Sequence, residues 1–236
     1  MCLSPSSSGW TGAWRCWLRY GEAGSMAREG PREGRARMPE NGAGGMPGKS
    51  ADRPVHHITV DVEEFFHSTL LVERVPFHQW EDHPRRAAII VPWILEELAR
   101  AGNRATFFVL GWTAERDPAM VRAIHEAGHE VAAHRRVDAL TPEEFRDAVR
   151  KSKALLEDII GAPVAGYRAP SFSISPGYEW AFDILIDEGY RYDSSVFPID
   201  LGPGYGYRGG SPDPYWIRRK DGALGEVPPL TLGMMK

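Results

Sequence analysis

From His56 onward the chain alternates short apolar or β-branched runs with amphipathic stretches of helical length, and that alternation restricts it to a parallel α/β architecture. His57 to Asp61 predicts a first strand. Pro84 to Ala101 predicts a helix, with Ile89, Ile90, Trp93, Ile94 and Leu98 on one stripe and Gly102 as its stop. Ala105 to Leu110 reads as a buried strand, Asp117-Pro118 opens a helix running to about Ala127, and His129 to Ala133 is a third strand. Thr141-Pro-Glu-Glu144 has the pattern of a capping box and starts a helix that runs to Ile160 before Gly161. Val164 to Arg168 is a fourth strand. Ser175-Pro176 caps a helix ending near Gly189, and Tyr190 to Ser194 is the fifth strand. The expected fold is a parallel sheet or (β/α) barrel, in which chemistry collects at the C-terminal strand ends.

What stands at those ends is chemically selective. The first run, Ile58-Thr-Val-Asp61-Val-Glu63-Glu64-Phe-Phe-His67, delivers three carboxylates and a histidine where the strand stops. Side chains alternate along a strand, so Asp61 and Glu63 face the same way while Val62 packs behind them. Two carboxylates on one face can share a metal-bound water, one as ligand and one as base; a merely solvated acidic strand end is the bland alternative. The third strand ends at His134, the fourth in Arg168-Ala-Pro-Ser171 and the fifth in Asp193-Ser-Ser195. Glu63 and Glu64 compete for a ligand role, which alternation gives to Glu63, leaving Glu64 solvated. His129 starts its strand, far from this rim, and reads as structural.

Composition narrows the partners. A net charge of −4 gives no reason to propose nucleic acid. Cys2 and Cys16 both lie near the N-terminus, so the body has no Cys-type zinc site or disulfide framework. No apolar run is long enough to span a membrane, and the first residues lack the pattern of a signal peptide, so the default location is cytoplasmic. Residues 1–53 are rich in Gly, Ser, Pro and Arg without sustained periodicity and are expected to form a disordered tail on a domain over 54–236. Internal methionines at Met26, Met38 and Met46 leave the start of the chain open.

Thr59-Val-Asp61-Val-Glu63-Glu64-Phe-Phe-His67, Ala105-Thr-Phe-Phe, Gly128-His-Glu-Val-Ala-Ala-His134, Gly166-Tyr-Arg168-Ala-Pro-Ser171 and Tyr192-Asp193-Ser-Ser resemble, in order, the motifs of polysaccharide deacetylases with the NodB homology domain. The Asp-Val-Glu form of the first motif is similar to that of the exopolysaccharide-locus branch. The resemblance implies a distorted (β/α) barrel and metal-dependent removal of N-acetyl groups from N-acetylhexosamine residues of a polysaccharide, the expected partner. It implies Asp61 as general base, Arg168 as the residue holding Asp61 ionised and oriented, and Glu63 and His134 as ligands of a divalent metal, zinc by preference. His67 is a candidate substrate contact or a surface histidine. Ser171 is a candidate for holding the acetyl oxygen. Asp193 is a candidate substrate-side residue or the organiser of a turn or buried hydrogen-bond network.

Two departures from the family pattern stand out. A second histidine is implied four residues after His134, where this chain reads His134-Arg-Arg-Val-Asp138. Either Asp138 substitutes as a ligand, or a shortened loop removes that ligand altogether. The resemblance also implies further strands and a late histidine beyond Glu226-Val-Pro-Pro, so the barrel is expected to be incomplete. The alternative function is that of a catalytically impaired, carbohydrate-binding relative, with Trp80, Trp112, Tyr205, Tyr207, Tyr215 and Trp216 as candidate stacking faces.

Overall fold

The computed structural model describes residues 56–68, 71, 74–137, 140–199, 206–207 and 209–231; the expected tail, 1–53, lies outside them. In chain order the elements are β1 (Thr59–Val62), α1 (Ala87–Arg100), β2 (Thr106–Leu110), α2 (Gly111–Arg116), α3 (Pro118–Glu126), β3 (Glu130–His134), α4 (Pro142–Ile160), β4 (Gly166–Arg168), α5 (Trp180–Asp187), β5 (Tyr192–Asp193), β6 (Tyr215–Arg219) and β7 (Gly222–Glu226). Short 3-10 turns at Phe65–His67, Phe77–Asp82 and Pro170–Phe172 fill connections at the strand ends.

The strands form one sheet in the order β1-β2-β3-β4-β5-β7-β6. Every neighbouring pair is parallel except β6–β7, an antiparallel hairpin at the edge. Parallel strands in sequential order, joined by crossovers of one hand, put their helices on one face. That is the winding of a barrel wall; a doubly wound sheet reverses its strand order. Among the described residues the sheet is not closed, and β1 and β6 are its edges. β2 and β3 sit deepest, with Phe107, Phe108, Val109, Val131, Ala132 and Ala133 all buried.

Local signals account for most boundaries. Thr141 Oγ1 accepts from the Glu144 N–H at 3.3 Å and Glu144 Oε2 accepts from the Thr141 N–H at 2.8 Å, so the capping box of α4 forms as expected. Gly161 ends that helix at φ 64°, a conformation glycine adopts without a Cβ penalty. Asp117 Oδ1 caps α3 through the Met120 N–H at 3.0 Å, followed by Pro118. At Gly166 a Cβ would collide with the Tyr192 ring, so the β4–β5 contact requires glycine there.

Three expectations are corrected. The expected stripe of α1 is split: Leu98 is buried, together with Val91, whereas Ile89 is 75% exposed and Trp93 60%. Val91 and Leu98 lie two turns apart on the sheet side, which turns the Ile89–Trp93 row outward. Glu64 is not solvated but buried. Its Oε2 accepts from the Arg86 N–H at 2.9 Å and its Oε1 from the Ala87 N–H at 3.0 Å. Arg86, at the N-cap of α1, has no capping side chain of its own, so the carboxylate at the end of β1 supplies the cap. Finally, α2 follows β2 directly, and the β6–β7 hairpin adds two strands that the periodicity did not mark.

Candidate active site

The rim is assembled by register. Leu110, His134 and Arg168 pair across β2, β3 and β4, and Tyr167, Asp193 and Glu226 pair across β4, β5 and β7. Five of the parallel strands thus reach their ends within one residue of each other.

Arg168 is the hub. Its Nη1 donates to Asp61 Oδ1 at 2.8 Å and to Thr59 Oγ1 at 2.9 Å. Its Nε donates to the Ser194 carbonyl at 3.1 Å and its Nη2 to Ser194 Oγ at 2.7 Å. The buried guanidinium lies 4.1 Å over the Phe108 ring. β2 and β3 separate β1 from β4, which in a flat sheet would put roughly 14 Å between their axes. One side chain bridges them only because the sheet curls, and the curl brings Asp61 and Arg168 together across the interior. Thr59 and Asp61 share a face, as strand alternation predicts, and the Asp61 side chain remains one-third accessible (33%).

His134 is fully enclosed, and its Nδ1–H donates to the Arg168 carbonyl at 2.8 Å. That bond fixes the tautomer and leaves Nε2 as a bare lone pair. Nε2 has no hydrogen-bond partner and lies 3.9 Å from Glu63 Oε2. Burial pushes His134 down to about 4, only partly opposed by the charge of Asp61, so the ring is neutral near pH 7. Burial first, and the Asp61 charge second, push Glu63 up to about 7. The contact is therefore not an ion pair. It is an acceptor facing a carboxyl group poised to lose its proton.

The other sequence candidates fall in different places. His67 is buried against Phe66, Trp80 and Trp112. Its Nδ1 accepts from the Glu64 N–H at 2.9 Å, so the neutral ring carries its proton on Nε2, which has no partner. Burial, followed by His134 and Arg116, pushes this histidine down to about 4. It is a donor, not a metal ligand, and not a surface histidine. Ser171 is exposed beyond β4 at φ 54° and is followed by Phe172 at φ 52°. Two consecutive left-handed non-glycine residues store strain of the kind found at functional loops. Asp193 is completely buried, which removes it from substrate contact; it accepts from Ser195 Oγ at 2.5 Å. His129 Nδ1 accepts from the Ala105 N–H at 3.2 Å at the opposite end of the sheet, a structural role.

The donors suit a divalent ion in kind: an imidazole whose Nδ1 is pinned by the Arg168 carbonyl and whose bare, buried Nε2 is directed toward the Glu63 carboxyl group. In number they fall short. Among the described residues no group of three His, Cys, Asp or Glu side chains converges, and Asp138 lies outside the described residues. Catalytic zinc normally takes three protein ligands.

Sequential parallel winding with a carboxylate–guanidinium pair and an oriented imidazole at the C-terminal rim is the layout of a (β/α)-barrel-type fold with a polar site at its strand ends. Residues 78–182 match the family model described as polysaccharide deacetylase. A peptidoglycan deacetylase of Helicobacter pylori is 30% identical over 119 residues, covering 49% of this chain and 40% of that protein. A peptidoglycan-N-acetylglucosamine deacetylase of Bacillus cereus is 34% identical over 91 residues, covering 37% of this chain and 30% of that one. Among solved structures, a protein of Mycobacterium smegmatis classed as a polysaccharide deacetylase superposes with a TM-score of 0.58 at 27% identity, covering 73% of this chain and 57% of that one. Over residues 78–182, less than half of its length, the chain is similar to polysaccharide deacetylases. It spans two fifths or less of the curated relatives it matches. His134, Arg168 and Ser171 fall inside the matched family segment, and Asp61, Glu63 and His67 precede it.

Proposed function

We propose that residues 54–236 form a deacetylase unit that hydrolyses the N-acetyl groups of N-acetylhexosamine residues in a polysaccharide, a hydrolysis of non-peptide carbon–nitrogen bonds. The observation that carries this reading is the Asp61–Arg168 pair at 2.8 Å beside an imidazole whose tautomer is fixed by the Arg168 carbonyl. Asp61 is one-third accessible and held by one oxygen, Oδ1, which leaves Oδ2 to take the proton of a water attacking the acetyl carbonyl. Arg168 fixes the position of that carboxylate and does not itself reach substrate, because its donors are occupied by Asp61, Thr59 and Ser194. Glu63 and His134 would supply two donors to a divalent ion, one short of the usual three, and such an ion when bound would polarise the acetyl carbonyl and acidify water. His67, with its proton on Nε2, and the backbone at Ser171 are the candidates for contacting the acetyl group. The names of the relatives favour an amino-sugar polymer; the exopolysaccharide form of the first motif is the sequence's own preference.

A second reading is a carbohydrate-binding relative with weakened catalysis, favoured by the two-donor metal set. Of its proposed stacking residues, Trp80 and Trp112 pack against Phe66, His67 and each other. Trp80 donates to the Val75 carbonyl at 3.1 Å, Trp112 lies under Arg116, and Tyr207 donates to Glu179 at 3.0 Å; Tyr205 lies outside the described residues. The test is acetate release from N-acetylglucosamine oligomers with added zinc or cobalt. Release that falls on Asp61→Asn supports the hydrolase. Oligomer binding without release, indifferent to Asp61→Asn, supports the second reading.

A further inference from the structure

A second acidic centre lies behind the rim. Asp193 closes β5 and Glu226 closes β7, and the two are register partners in parallel strands. Side chains at such positions project to the same face about 4.8 Å apart. Both are entirely buried, so the two carboxyl groups adjoin each other out of contact with solvent. Asp193 Oδ1 accepts from Ser195 Oγ at 2.5 Å and Glu226 Oε1 from the Val196 N–H at 3.1 Å. Each group has one remaining oxygen, Oδ2 and Oε2, that is buried without a hydrogen-bond partner. Two carboxylates have only acceptors to offer, so a hydrogen bond between them requires a proton.

We propose that Asp193 and Glu226 share a single proton, and that this singly charged acid pair is the positioning element that holds Arg168, and through it Asp61, at the rim. The connection is short. Ser195 Oγ, which donates to Asp193, accepts from the Ala169 N–H at 2.8 Å. Ser194 Oγ, which accepts from Arg168, donates to the Val227 carbonyl at 2.7 Å. The pair therefore fastens both strands that grip Arg168 and its neighbour. The groups that face it are Arg168 from β4 and Tyr215 from β6, the latter's buried hydroxyl lacking a hydrogen-bond partner, with Tyr207 beside Tyr215. Burial pushes Asp193 up to about 6, and burial plus the Asp193 charge push Glu226 well above the usual carboxylate range. Both carboxyl groups are thus raised together, and the proton belongs to the pair.

The role of the pair in holding Asp61 rests on the deacetylase reading; the shared proton does not. Glu226→Gln is the decisive variant, because an amide supplies the N–H that the protonated acid supplies as O–H. A raised folded-state value means stability that is full below the unfolded value and is lost as pH rises toward the folded one. Infrared spectra at pH 8 are expected to show the carbonyl stretch of a protonated buried carboxyl in the parent that Glu226→Gln and Asp193→Asn each remove. The parent's melting temperature is expected to fall more steeply from pH 5 to pH 9 than that of Glu226→Gln, and Glu226→Ala should be less stable than both. Acetate release by Glu226→Gln should persist to higher pH than the parent's. An unchanged infrared band together with parallel melting profiles would overturn the shared proton. A confirmed band with identical alkaline limits of activity would overturn the positioning role, and a confirmed band with no acetate release from the parent would count against the deacetylase reading alone.

Discussion

At the residue scale the site depends on hydrogen bonds that fix which atoms are free. Arg168 spends four donor contacts on Asp61, Thr59 and Ser194, and its carbonyl oxygen orients His134. Replacing it by Lys keeps a charge but loses the planar fork. Arg168→Lys is therefore expected to lower acetate release about 10²-fold while leaving KM nearly unchanged, in steady-state kinetics on a chitin oligomer. Asp61→Asn should cost at least as much, about 10²–10⁴-fold, with an unaltered circular-dichroism spectrum. Ser171 carries backbone strain rather than a hydrogen bond. Ser171→Gly is expected to raise stability by about 1 kcal/mol in urea titration, because glycine adopts φ 54° without a Cβ penalty. Asp61, Glu63, His134 and Arg168 were legible in the sequence because each ends a strand and strand alternation assigns a face. Glu226 was not legible. Its meaning comes from Asp193, a partner remote in the chain, and Leu224-Gly-Glu226-Val carries no local pattern that announces a buried acid.

At the element scale, caps and register decide what the rim contains. The capping box at Thr141 and the glycine at Gly161 are local signals, and both ends of α4 follow them. The start of α1 is not local: Glu64 reaches from the end of β1 to the N–H groups of Arg86 and Ala87. This explains why a third carboxylate stands in the first motif without joining the site. Glu64→Ala is expected to destabilise the protein by about 1–2 kcal/mol, measured by chemical denaturation, since it removes a buried cap and leaves two donors unpaired. Periodicity placed Ile89, Ile90, Trp93, Ile94 and Leu98 on one stripe of α1; Leu98 is buried with Val91, but Ile89, Ile90 and Trp93 are exposed. A helix with apolar residues on two faces does not say from sequence which one meets the core; packing chooses. The β6–β7 hairpin was missed for a related reason. Arg218, Arg219 and Lys220 dilute its alternation, and its place in the sheet is set by the pairing of β7 with β5.

For the whole molecule, sequential parallel winding and sheet curl bring β1 and β4 together, and they place the oxygen-rich half of the centre beside a neutral imidazole. Burying two histidines in neutral form has a consequence for acid stability. His67 and His134 are both pushed down to about 4 by burial, below the ordinary histidine value of 6.5. The unfolded chain binds their protons first, so the stability they contribute is full above about pH 6.5 and is lost as pH falls toward 4. Thermal melts should therefore show a decline across that window, shallower in His67→Gln. No helix among the described residues is long and apolar enough to cross a membrane. The central claim is that Asp61, held by Arg168, is the base of a deacetylase centre, and acetate release tests it most directly. Purified chain supplied with zinc or cobalt is predicted to release acetate from N-acetylglucosamine oligomers, with the rate falling about 10²–10⁴-fold in Asp61→Asn. No release, or release that Asp61→Asn leaves unchanged, would contradict it.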